Sequence, residues 1–370
     1  MKQQTPDQTL QIDMDAGARI VDAEGITIEN KNESHVGLTA ENFSLTYTAT
    51  SPMTGITYTH STNYVFAPTP DFGGADVALK PKNNGFIGQN LLYLGNYSMH
   101  SARAGCHNIS VIKPEDAEFN VGERLTMLTA AARTLEVGHA YTSVYVFASP
   151  EDLGARDGFV IEYENEVFLY GAAPVNKARN TWLHEYIHTR QAAYLAEGEN
   201  FAWFAEGSAN YYAARLALDL GLITPQQYDA RLASWASYTP TSLLRNAKRE
   251  DVAYRHGAVV LAELDAQLNE NGYATLLDIF EELNRGYSAD YDQFESLLAR
   301  EGRLNETQLN QTKSIVWEEA PPQPQQAYMA SEAGLLRRVQ KIMLGLGVML
   351  FGFGLSKFIV ARSDFLQEIR

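Results

Sequence analysis

The chain has 370 residues, 45% of them hydrophobic, and carries 45 acidic against 29 basic residues for a formal net charge of −16. That acidic excess excludes the nucleic-acid-binding class, which relies on basic patches to neutralise phosphate. The length leaves room for two to three domains, and the single cysteine, Cys106, excludes a thiolate-built structural zinc site.

In chain order, the first 115 or so residues are rich in Thr, Tyr, Val and Asn. They contain short alternating runs such as Phe43-Ser44-Leu45-Thr46-Tyr47-Thr48, bounded by Gly, Pro and Asn. This pattern predicts a β-sandwich-like N-terminal domain over 1–118. A helix follows from 121 to about 136, then strands over 143–147 and 158–170, an α+β order. The second of these strands carries Glu162, Glu164 and Glu166 in alternation, the signature of a half-solvated strand.

The next segment reads His184-Glu185-Tyr186-Ile187-His188. Four residues of helix advance slightly more than one turn, so the imidazoles of His184 and His188 share a face and can hold one Zn²⁺ at about 2.0–2.1 Å. Glu185, one residue round the helix, then reaches a water on the metal. A third ligand is supplied by Glu206 in Trp203-Phe204-Ala205-Glu206-Gly207-Ser208-Ala209-Asn210, 17 intervening residues beyond His188. That spacing lets the first helix end near Gly198 and a second begin near Phe201, with Glu197 and Glu199 as the nearest alternative ligands. Two His and one Glu with an open fourth position make a catalytic rather than a structural zinc set. Asn210, four residues beyond Glu206, shares its helix face and is the candidate to hold a ligand imidazole from outside.

Over roughly 120–300 these segments resemble the gluzincin metallopeptidases, the thermolysin-like group that includes the aminopeptidase N-like and glycyl aminopeptidase-like families. There the third ligand sits in a Glu-Gly-x-Ala context, which residues 206–209 reproduce with a gap about one residue shorter than usual. Those aminopeptidases also carry a Tyr-x-Lys-Gly-Ala motif whose Tyr hydrogen-bonds the tetrahedral intermediate. Tyr254-Arg255-His256-Gly257-Ala258 is similar, with His256 in place of Lys. The resemblance implies a thermolysin-like catalytic domain over 119–302, one Zn²⁺ per chain, a peptide or protein substrate, Glu185 as general base and Tyr254 as oxyanion stabiliser. Such chemistry suits the residue types, since zinc acidifies its water and a nearby carboxylate relays the proton to the leaving amine. The families bind a substrate's free amine through a Gly-x-Met-Glu-Asn motif. Glu164 and Asn165 echo its end, but the Gly and Met are missing and the spacing to His184 is short. Glu164 therefore reads either as an amine-binding group or as an exposed strand carboxylate, and exopeptidase and endopeptidase both stay open. A second functional class, a catalytically idle gluzincin-fold domain for peptide binding or assembly, is disfavoured by the presence of ligands, base and Tyr together.

Beyond Tyr254 the periodicity of Val259, Leu261, Leu264 and Leu268 predicts packed helices to about residue 300. Residues 303–335 read as a linker containing Pro321-Pro322-Gln323-Pro324, and 336–362 as a transmembrane helix with a short tail over 363–370. The run 342–355 is uncharged and continues apolar to 360; about twenty helical residues match the roughly 30 Å of a bilayer's hydrocarbon. Gly345, Gly347, Gly352 and Gly354 are costly in a soluble helix and common in membrane ones. The lipid bilayer is thus an expected partner. Arg337, Arg338 and Lys341 before the span are balanced by Lys357, Arg362 and Arg370 after it. Absence of a secretory signal near residue 10 favours a cytoplasmic, tail-anchored enzyme. Six Asn-x-Ser/Thr sequons, at Asn32, Asn42, Asn96, Asn108, Asn305 and Asn310, tip the expectation toward an extracellular catalytic domain.

Overall fold

The computed structural model describes residues 65–318 apart from 70–78, 82, 106, 138–142, 153–157, 161–164, 240–241 and 249–250, together with five short strands between residues 9 and 48. Those strands are β1 (Thr9–Gln11), β2 (Arg19–Glu24), β3 (Ile26–Asn30), β4 (His35–Leu38) and β5 (Ser44–Thr48), and they pair antiparallel in the orders β1-β4-β3 and β2-β5. Next come β6 (Val65–Pro68), β7 (Gly85–Ile87) and β8 (Leu91–Leu94), an antiparallel sheet in the order β6-β8-β7.

The central sheet has five strands in the order β12-β13-β11-β10-β9, made of β9 (Tyr97–Ala104), β10 (His107–Pro114), β11 (Ser143–Ser149), β12 (Gly158–Val160) and β13 (Glu166–Tyr170). β10, β11 and β13 run parallel, while β9 and β12 form antiparallel edges. A parallel pair cannot be closed by a tight turn. The β10–β11 connection is accordingly helix α1 (Val121–Thr134), whose N-cap Asn120 accepts from the Glu123 N–H at 3.2 Å. Successive strand residues face opposite sides. Val111, Val146, Val167 and Leu169 enter the main core, whereas Ile112, Phe147 and Phe168 pack with Phe66, Leu91 and Tyr93 of the β6-β8-β7 sheet. A sheet buried on both faces needs such continuous apolar strands.

Helices α2 (Thr181–His188), α3 (Trp203–Asp219), α4 (Pro225–Ala236), α5 (Asp251–Asn271), α6 (Leu276–Asn284), α7 (Tyr291–Arg300) and α8 (Glu306–Trp317) complete the described fold. α3 and α5 pack closely, and α2 lies against α3, β12 and β13.

Four features differ from the sequence reading. β9 and β10, read as part of the N-terminal β-rich region, hydrogen-bond into the sheet of the 143–170 strands. The strand expected over 158–170 is two strands, β12 and β13, and Glu166 at the start of β13 is fully buried rather than half-solvated. Its carboxylate accepts the backbone N–H groups of Gln89, Asn90 and Leu91, the latter two at 2.8 Å, and three donors are what a buried charge requires. The zinc-motif helix ends at His188 instead of near Gly198, because the chain tightens into a short 3-10 turn at Ala193–Ala196 before α3 starts at Trp203. Residues 306–317, assigned to the linker, form α8, capped by Asn305 and Gln308 reciprocally and anchored by buried Thr312, Ile315 and Val316. Among the described residues no helix is long and apolar enough to cross a membrane. The apolar segment 342–360 and the Pro-rich stretch before it lie outside the described residues.

Candidate metal centre and active site

α2 is short but strongly fixed. Buried Asn180 caps it, accepting from the Leu183 N–H at 3.1 Å and donating to the Val175 carbonyl at 2.8 Å. All eight helix residues are buried, and the Thr189 hydroxyl closes the last turn on the Tyr186 carbonyl at 2.7 Å. An eight-residue helix is marginal alone; here tertiary contact on every side holds His184 and His188 in place.

The three expected ligands converge. His184 Nε2 and His188 Nε2 are 3.1 Å apart, and Glu206 Oε2 lies 3.4 Å from the first and 3.2 Å from the second. Four tetrahedral bonds of 2.0–2.1 Å place ligand atoms about 3.3 Å from one another. The triangle therefore has the size a zinc ion demands. Glu206 closes the set, and neither Glu197 nor Glu199 belongs to it.

Charge reinforces the arrangement. Burial works against the Glu206 anion, but His188 and His184 outweigh it and hold the carboxyl far below the usual range. For His188 burial again opposes charge, and the Glu206 carboxylate overcomes it, lifting the imidazole from 6.5 to about 9 in the metal-free site. Glu185 is raised above the ordinary carboxylate value by burial, with His184 and His188 pulling partly the other way.

Sequence reasoning missed Gln191. Wholly buried in the turn after α2, it accepts from His188 Nδ1 at 2.7 Å and donates to the Ala205 carbonyl at 2.7 Å and the Ser208 hydroxyl at 2.8 Å. A proton on Nδ1 leaves the Nε2 lone pair for a metal. Gln191 also ties the ligand helix to α3, which carries Glu206. Asn210, expected to hold a ligand imidazole, faces α5 instead and donates to the Tyr254 carbonyl at 2.7 Å. His184 Nδ1 is buried with no hydrogen-bond partner among the described residues.

Tyr254 reaches the site because α3 and α5 touch through glycine. A Cβ on Gly257 would lie 3.1 Å from Gly207 Cα, and one on Gly207 would lie 2.9 Å from the Gly257 carbonyl carbon. This backbone contact brings the residue before Gly207, Glu206, and the residue three before Gly257, Tyr254, to the same place. The Tyr254 ring stacks beside His184, centroids 5.9 Å apart and planes 20° from parallel. His256 is buried and bonds the Tyr238 carbonyl at 2.9 Å, away from the ligands.

A cleft of about 400 Å³ opens over the triangle, walled by β12 on one side and by α4 and α5 on the other. Gly158 packs hard on Glu185, since a Cβ there would sit 3.0 Å from Glu185 Cγ. Asn165 does not line this cleft; its carbonyl accepts from the Tyr145 N–H at 2.8 Å beside β13. Glu164 lies outside the described residues.

No family model matches the sequence, and no curated protein matches it. Solved structures do. An aminopeptidase N family protein from Idiomarina loihiensis superposes with a TM-score of 0.61 at 12% identity, over 88% of this chain and 74% of that one. The M1 zinc metallopeptidase from Deinococcus radiodurans gives 0.52 at 15% identity, over 87% of this chain and 89% of that one. A Glu-to-Ala variant of the Deinococcus enzyme bound to a Tyr-Ser-Ala substrate gives 0.51 at 15% identity, over 86% and 88%. The fold is that of the M1 zinc metallopeptidases. The mixed α+β architecture of sheet and helices is shared with those structures, in agreement with the gluzincin resemblance read from the motifs.

Proposed function

We propose that this chain is a zinc-dependent metallopeptidase. The observation that carries the reading is the His184–His188–Glu206 triangle of zinc dimensions with the Glu185 carboxyl in the same buried cleft. Zinc held there supplies Lewis acidity to a water and to the scissile carbonyl.

The chain's own residues account for the rest. Among the described residues β12 is the edge of the central sheet, and it walls the cleft, so an extended peptide backbone pairs along it. Glu185 takes the proton of the attacking water and returns it to the leaving amine; its raised proton affinity suits a group that must do both. The Tyr254 phenol donates to the oxygen on which negative charge develops, while stacking against His184 limits its motion. Asn210 steadies the backbone of Tyr254. Glu185→Gln keeps the side chain's size and removes proton transfer. It should retain stoichiometric zinc by elemental analysis and lose at least about 10² in turnover. Near wild-type hydrolysis by this variant would refute the assignment.

The apolar segment 342–360 is proposed to anchor the chain in a bilayer, with the catalytic domain extracellular. The full chain should then stay with membranes through high-salt and alkaline washes. Its recovery in the aqueous fraction would remove the anchor.

A further inference from the structure

The charged groups of the cleft are out of character with the chain. In a protein of net charge −16, three arginines from three separate elements meet on one cavity: Arg179 from the turn before α2, Arg231 from α4 and Arg255 from α5. The carboxylates beside them are largely committed. Glu206 is turned to the imidazoles, Glu185 is the buried base, and Asp251 pairs with Arg255 at 3.3 Å. Arg179 and Arg231 form no ion pair among the described residues.

Two of these guanidiniums are also steadied. Arg231 lies over the Trp235 ring at 5.8 Å and Arg255 over the Tyr238 ring at 4.4 Å. Stacking on an aromatic face occupies the guanidinium plane and leaves its N–H edge open, the edge that matches a carboxylate's two oxygens. Ammonium recognition would need an uncommitted anion in the lining. The one described carboxylate that is neither ligand nor base, Asp251, already faces Arg255.

We propose that this cleft selects peptides bearing a carboxylate close to the scissile bond, with Arg179 and Arg231 as its receptors. The proposal rests on the peptidase reading above and adds the substrate class to it. Far from the cleft the acidic surface repels an anionic peptide, but salt screens that field within about 8–10 Å, and inside the cleft the arginines decide the sign. The carboxylate comes either from an acidic side chain or from the peptide's C-terminus. Both present the same group.

Calorimetric titration of the zinc-loaded, full-length Glu185→Gln protein tests this with peptides that have a free N-terminus. The first is neutral and C-terminally amidated, the second has the same sequence with a free C-terminus, and the third is amidated with Glu in place of an internal Gln. At least one carboxylate-bearing peptide should bind about tenfold or more tightly than the neutral one, and which one names the source. Arg231→Gln and Arg179→Gln, tested separately with melting temperature and zinc content as controls, should each shrink that ratio, and Arg231→Lys should restore part of it. Wild-type cleavage of all three peptides runs in parallel. If the three peptides are bound and cleaved alike, carboxylate selection is overturned and the peptidase reading survives. If none is bound or cleaved, the peptidase reading falls and takes the selectivity with it. Should an arginine variant fail to fold, the acid-to-amide ratio of the parent protein still decides.

Discussion

Replacing Gln191 by Leu tests whether the metal triangle is held by its supporting hydrogen bonds or by packing alone. Leu roughly preserves volume but removes three bonds, to His188 Nδ1, the Ala205 carbonyl and the Ser208 hydroxyl. The last two partially satisfy each other, the hydroxyl donating to the carbonyl at 3.3 Å. His188 Nδ1 loses its Gln191 acceptor. Removing the acceptor of a buried N–H costs about 1–3 kcal/mol, and a ring that turns to regain one moves Nε2 out of the triangle. Loss of such an orienting partner typically weakens metal binding about 10- to 100-fold. Competition against a chromophoric chelator reads the affinity, and melting of the metal-free protein reads the stability. Ser208→Ala is the control, since it breaks a bond of Gln191 without touching His188, and its zinc affinity should stay within about twofold of wild type. Equal zinc retention in Gln191→Leu and wild type, or equal losses in the two variants, would refute the orienting role.

Two further outcomes follow from the site. Tyr254→Phe removes only the phenolic hydroxyl and should lower kcat by about 10² to 10³ with KM and zinc content little changed; a large KM effect with intact kcat would make Tyr254 a wall of the substrate site instead. In the metal-free protein His188 titrates near 9 when folded against 6.5 as a model group, so its contribution to stability is full below about pH 6.5 and disappears as pH rises through about 9. Melting temperature of the metal-free protein should therefore fall across that window, while zinc, which must displace the proton, should bind up to about tenfold more tightly per pH unit. A zinc affinity independent of pH between those limits would contradict the coupling.

The convergence of His184, His188 and Glu206 was legible because it depends on strict helix periodicity: His184 and His188 one turn apart, and Glu206 at the start of the next long helix. The place of Tyr254 in the cleft was legible only through the resemblance, since nothing local distinguishes it from the chain's other tyrosines. Gln191 escaped because the outer partner was sought on a helix face, at Asn210, whereas it sits in an irregular turn. Its backbone N–H bonds the His188 carbonyl at 3.2 Å, a three-residue spacing that a search beyond the helix end would have reached. Glu166 was misread for a related reason: alternation reports which side of a strand a residue faces, not whether a loop from elsewhere, here 89–91, covers that side. α8 has too few apolar residues to show a stripe. Its reciprocal Asn305–Gln308 cap was the available signal.

The contact between Gly207 and Gly257 has a practical corollary for anyone wishing to move this site to another scaffold. A metal site tolerates errors of about 0.2 Å in its bond lengths. A methyl group on Gly257 would sit 3.1 Å from the opposing Cα, so the helices must part by a few tenths of an ångström to admit it, as much as that tolerance or more. Copying His184, Glu185, His188, Glu206 and Tyr254 alone would thus transplant the reagents without the jig that sets their spacing. The smallest portable unit is the pair of crossing helices with both glycines, docked on the ligand helix.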